Sequence, residues 1–168
     1  MLTLCINLLA ILILAFMTYQ DVKYRAITWY AFPLLGGSLF ILNRDLSSTE
    51  VLINIAFLGI NYLSATVIIS IRAGKWINLM KAHMGLGDIL LLICLAFYFP
   101  PLNFLAFYIF SLVLIAICAG IYLKLQKPQN FTVPLAGFQG GLLGCLILIS
   151  SLTEISLNNV TWLNSYLQ

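Results

Sequence analysis

The first twenty residues of the chain carry no charge, and the first charged side chain is Asp21. Charge-free runs recur from Val51 to Ile71 and from Ile89 to Leu123. An apolar stretch of about 20 residues, coiled as a helix, matches the hydrocarbon thickness of a bilayer. A backbone in lipid must satisfy its own hydrogen bonds, which leaves helices or closed barrels. A barrel would show alternating strands of about ten residues, whereas these runs are unbroken. Charged residues make up 8% of the 168 positions, against roughly 25% in a soluble domain. Too few polar groups exist to cover a water-facing surface. A cytosolic globular enzyme, a disordered chain and a nucleic-acid binder are thereby excluded. The fold class expected is all-α, a polytopic membrane protein with six transmembrane helices.

The spans are expected at Leu2–Gln20, Ile27–Leu42, Val51–Ile71, Gly85–Phe99, Leu102–Leu123 and Val133–Leu152. They make one membrane domain over residues 1–152, followed by a polar tail at 153–168 that carries Trp162 and Tyr166 and suits the lipid interface. Pro33 is expected to kink the second span, Pro100 and Pro101 to end the fourth, and Pro134 to open the sixth. The N-terminus has no basic region before its apolar run, so it reads as a retained first helix and not a cleaved signal. Cys5, Cys94, Cys118 and Cys145 stand singly in apolar runs, without the spacing of a zinc site or redox pair. No metal and no cofactor are expected. The single histidine, His83, reads as a solvated loop residue. Trp76, Leu79 and Met80, between Lys75 and Lys81, suggest an interfacial stretch on anionic lipid.

Cytoplasmic loops are enriched in Lys and Arg. With six spans, seven of the eight basic residues fall on one side: Lys23, Arg25, Arg72, Lys75, Lys81, Lys124 and Lys127. Only Arg44 falls on the other. Both termini are therefore expected outside, with the basic loops in the cytoplasm. Asp45, Glu50 and Glu154 sort to the outer side. Asp21 and Asp88 alone sort to the inner side, each at a helix end, far apart in sequence and at one predicted depth.

Carboxylates at the hydrocarbon edge are expensive to hold. Asp21 alone reads equally as a solvated loop residue beside Lys23 and Arg25. Asp88 alone reads as a helix-start acid favoured by the macrodipole. Taken together, two carboxyl groups at one depth can share a proton. One then acts as base toward water while the other protonates a scissile carbonyl. Asp88 stands at the positive end of its helix and Asp21 at the negative end of its own. The stretch Met84-Gly85-Leu86-Gly87-Asp88 adds glycines that let another chain approach closely. Gly137, Gly140, Gly141 and Gly144 give small-residue spacings that favour tight packing of span six, chiefly within the chain.

In these residues the sequence resembles the type IV prepilin peptidases and archaeal preflagellin peptidases, the GxGD class of membrane aspartic proteases. The resemblance lies in Asp21 closing the first helix before a basic stretch and Ile27-Thr28, in Gly85-Leu-Gly-Asp88, and in Thr-Val-Pro134-Leu-Ala-Gly137. It implies catalytic aspartates at Asp21 and Asp88, with Gly85 and Gly87 supporting the motif. It implies a prokaryotic inner-membrane enzyme with a cytoplasm-facing site. The implied partners are the lipid bilayer and a pilin-like precursor whose short basic leader is removed. Thr28 stands where the family often has Pro, and Leu90 where many members have Lys. The paired C-x-x-C motifs and methyltransferase region of larger members are absent, which implies a compact peptidase-only form. Alternatives are an inactive homologue and a non-enzymatic assembly or transport component. A presenilin-type protease fits less well, because Gln20, not Tyr, precedes Asp21.

Overall fold

A computed structural model describes residues 2–75, 85–126 and 134–153. His83, the stretch from Trp76 to Lys81, Lys127, Glu154 and the rest of the tail lie outside the described residues. The described chain is helical throughout: α1 Leu2–Tyr24, α2 Ala31–Leu42, α3 Ser48–Ala73, α4 Leu86–Ala96, α5 Pro101–Gln126 and α6 Leu135–Thr153. Four of them, α1, α3, α5 and α6, are long and apolar enough to cross a membrane. The other two are shorter than a span. At about 1.5 Å per residue, the 12 residues of α2 and the 11 of α4 cover little more than half of a hydrocarbon core. Four of the six expected spans are thus long enough by themselves to cross, and the crossing of the other two is not shown by length.

The boundary differences have local causes. The segment Asp21–Ala26, expected as a loop, is helical to Tyr24, and the Arg25 amide still donates to the Asp21 carbonyl at 3.1 Å. Helix α2 begins only at Ala31, so Pro33 occupies its first turn. There the missing N–H has no intrahelical partner to lose, and Pro33 starts the helix where a mid-span kink was expected. Helix α3 starts early because Ser47 and Glu50 form a capping box: the Ser47 hydroxyl accepts the Glu50 amide at 3.3 Å, and the Glu50 carboxylate accepts the Ser47 amide at 2.8 Å. It ends on Gly74 at φ 64°, the left-handed C-terminal stop. Helix α4 stops at Ala96, a turn before the expected Phe99. Asn54 donates to the carbonyls of Ala96 and Phe99 at 3.2 and 2.8 Å, and Asn43 donates to Tyr98 at 2.6 Å. These buried amides satisfy the last carbonyl of α4 and two carbonyls of the turn that follows it.

The core gathers Leu14 and Met17 of α1, Leu35 and Leu39 of α2, Leu91 and Leu95 of α4, Phe104 of α5, and Leu143 and Ile147 of α6. Helices α1 and α6 make the most extensive contact. Gly140, Gly141 and Gly144 lie against Thr18 and Leu14, which is the internal packing that their spacing predicts. Polar pins close both ends of this pair: Asn7 donates to Ser151 at 3.0 Å, and Thr18 donates to the Gly137 carbonyl at 3.1 Å. Leu8, Leu52, Ile60 and Ile117 point outward from the long helices and are more than half exposed. A lipid surround would give such a surface an apolar partner.

Candidate functional site

Three helix ends meet at one end of the bundle. The last turn of α1 brings Asp21, and the first turns of α4 and α6 bring Asp88 and the amides of Ala136 and Gly137. The Gly137 amide donates to Asp21 Oδ2 at 2.6 Å, and the Ala136 amide donates to Asp88 Oδ1 at 2.8 Å. Consecutive backbone N–H groups of one helix N-terminus thus hold both carboxylates. The first-turn amides of a helix have no intrahelical acceptor and carry its positive dipole end, so they are a natural seat for acids. The two carboxylates therefore stand side by side on neighbouring amides. Asp21 stands at the negative end of its own helix, but its side chain is at the positive end of another.

Asp88 is fixed by a second tie. It is the third residue of α4's first turn, and its Oδ2 accepts the Gly85 amide at 3.1 Å, while its own amide donates to the Gly85 carbonyl at 3.1 Å. The chain folds back on the carboxylate. A Cβ at Gly85 would stand 3.3 Å from Oδ2, and one at Gly87 would stand 3.5 Å from Ile27 Cδ1. The two motif glycines therefore do different things: Gly85 leaves room for the carboxylate, and Gly87 receives the loop after α1.

Both acids line an open cleft of about 590 Å³. Its other walls include Arg25, Ile27 and Trp29 from the α1–α2 loop, and Leu90 from α4. Trp29 is 76% exposed, so a large apolar surface lies free beside the carboxylates. Arg25 has φ 55°, a left-handed conformation that is uncommon for a side chain of this size. No three His, Cys, Asp or Glu side chains come together as a metal-binding group among the described residues. Two half-buried carboxyl groups that open on one cleft can move protons in opposite directions across a bond held between them.

All four residues singled out in the sequence, Asp21, Gly85, Gly87 and Asp88, meet here. The sequence reading missed the amides of Ala136 and Gly137 as the shared seat. A signal was present: Pro134 announces a helix start, and small residues follow it. It also missed the bonds from Thr28 to Gln20, described below, because nothing in the spacing of those two residues marks them as partners. No protein-family model, no curated protein and no solved structure matches the chain.

Proposed function

We propose that the chain is a membrane aspartic endopeptidase of the prepilin peptidase type. It removes the short basic leader of a pilin-like precursor at the cytoplasmic face of a prokaryotic inner membrane. One observation carries this reading: Asp21 and Asp88, 67 positions apart, lie on the consecutive amides of Ala136 and Gly137 in an open cleft. A structural role for either acid alone gives no reason for the other to share its seat. The chain is taken to cross the bilayer six times, with short α2 and α4 completing their crossings through the adjoining turns.

In the mechanism, water is the nucleophile. One carboxylate takes a proton from water as its oxygen attacks the scissile carbonyl, and the other carboxyl group gives its proton to the carbonyl oxygen. As the tetrahedral gem-diol collapses, one carboxyl group protonates the leaving amine while the other, as carboxylate, takes a proton from a hydroxyl of the intermediate, so the pair again holds one proton. The amides of Ala136 and Gly137 hold the carboxylates in place throughout. The exposed face of Trp29 and the side of Leu90 suit the apolar residues that follow the leader, and the absence of a side chain at Gly85 leaves room for an extended segment.

The test is incubation of the purified protein in lipid vesicles with a pilin-like precursor whose leader is short, basic and ends in glycine. Cleavage at the end of the leader is expected. Asp21→Asn and Asp88→Asn should each lower the rate by about a thousandfold, within the range of general acid–base contributions, with the protein still inserted. An inserted, folded wild-type chain that leaves such precursors intact would favour an inactive homologue. A single Asn variant with near-normal turnover would remove that aspartate from the mechanism.

A further inference from the structure

The α1–α2 loop carries the strain of Arg25, and a strained turn persists only where its surroundings hold it. Here one side-chain atom does much of the holding. Gln20 Oε1 accepts the Thr28 amide at 3.0 Å and the Thr28 hydroxyl at 2.6 Å. Both side chains are half-buried. Gln20 is the residue before Asp21. Ile27, the residue before Thr28, lies against Gly87, the residue before Asp88. A short physical chain therefore runs from one aspartate's helix to the other's through Gln20, Thr28, Ile27 and Gly87.

We infer that Gln20 and Thr28 are positioning residues for the aspartate pair: their two hydrogen bonds fix the cleft loop and, through Ile27 on Gly87, the spacing between α1 and α4 at the site. The inference rests on the peptidase reading for its kinetic consequence, but the clasp itself does not. It gives a physical account of one departure from the resemblance. A proline at position 28 has neither an N–H nor a hydroxyl, so it could make neither bond. In this chain Thr28 supplies both donors and Gln20 supplies the matching acceptor.

Two measurements test it. The first is the kinetics of precursor cleavage by Gln20→Leu, Thr28→Val, Thr28→Ser and the Gln20→Leu/Thr28→Val double variant. Misplacement of reacting groups lowers turnover steeply. The first two should lose about tenfold in kcat per folded molecule, and Thr28→Ser, which keeps both donors, should stay near wild type. The double variant should be no slower than Gln20→Leu, because that change already removes both hydrogen bonds, including the hydroxyl bond that Thr28→Val removes. The second measurement needs no peptidase activity: the rate at which trypsin nicks the intact protein after exposed Arg25. It should rise in Gln20→Leu and Thr28→Val and stay at the wild-type value in Thr28→Ser. Unchanged kcat in both single variants, independent losses that multiply in the double, or a Thr28→Ser as impaired as Thr28→Val would each overturn the inference. A wild-type chain that cleaves no precursor would refute the peptidase reading instead, and the trypsin rates would still decide whether the clasp holds the loop.

Discussion

At Gly137 a single missing side chain decides how closely two helices meet at an acid. A Cβ there would stand 3.0 Å from Asp21 Oδ2 and 3.1 Å from Asp21 Cβ. Gly137→Ala must therefore shift Asp21 or part α1 from α6 by a few tenths of an ångström. Precursor cleavage should fall at least tenfold, of the order expected when a reacting group is displaced by a fraction of an ångström to an ångström. Gly141→Ala is the control, because its Cβ would meet Thr18 at an ordinary 3.6 Å. Its cleavage kinetics and thermal midpoint in detergent should both stay close to wild type. Equal damage from both variants would show that the glycines act only as a packing stripe. The sequence made the stripe visible, because small residues at this spacing point to close helix contact. It could not show that Gly137, of the four, faces the aspartate. That depends on the rotation of α6 about its axis, which long-range packing sets.

Helix α4 raises a different problem, that of ending a helix inside an apolar bundle. Its last carbonyls cannot reach water, and an unpaired buried carbonyl costs about 1–3 kcal/mol. Asn54, 1% exposed, donates from the neighbouring helix to the Ala96 carbonyl that ends α4 and to the Phe99 carbonyl of the turn after it. Asn54→Leu keeps the volume roughly but strands both acceptors. The expected cost is about 2–4 kcal/mol of stability, read as a lower thermal or denaturant midpoint in detergent. Asn54 meets the C-terminal end of α4, whereas Asp88 is at the other end, so kcat per folded molecule should be retained. Loss of turnover without loss of stability would mean that the α4 end is coupled to the site. The existence of the six described helices was legible in the apolar runs. The length of α4 was not, because Pro100 and Pro101 mark only where a helix can no longer continue. Where it stops earlier depends on Asn43 and Asn54, more than 40 positions away.

Helix directions and charge together predict an orientation for the whole bundle. Asn54, early in α3, meets the end of α4, so α3 runs back toward the aspartate end and delivers Arg72 and Lys75 there. Helix α5 starts just after the end of α4 and likewise carries Lys124 back. Lys23 and Arg25 close α1 beside the cleft. Arg44, between α2 and α3, is the one described basic residue at the opposite end. A polytopic chain retains its Lys- and Arg-rich end in the cytoplasm, so the cleft should face inward, where a basic leader would be presented. Single cysteines at two exposed sites read this directly. Asp45→Cys should react with a membrane-impermeant maleimide in intact spheroplasts, and Lys75→Cys only in inverted vesicles. The native cysteines stand on apolar helices, Cys5, Cys118 and Cys145 on surfaces that lipid would cover and Cys94 buried, so a water-borne reagent does not reach them. The reverse labelling pattern would put Asp21 and Asp88 outside the cell. The proposed substrate, with its leader in the cytoplasm, could then not reach them, although the shared amide seat would be unchanged.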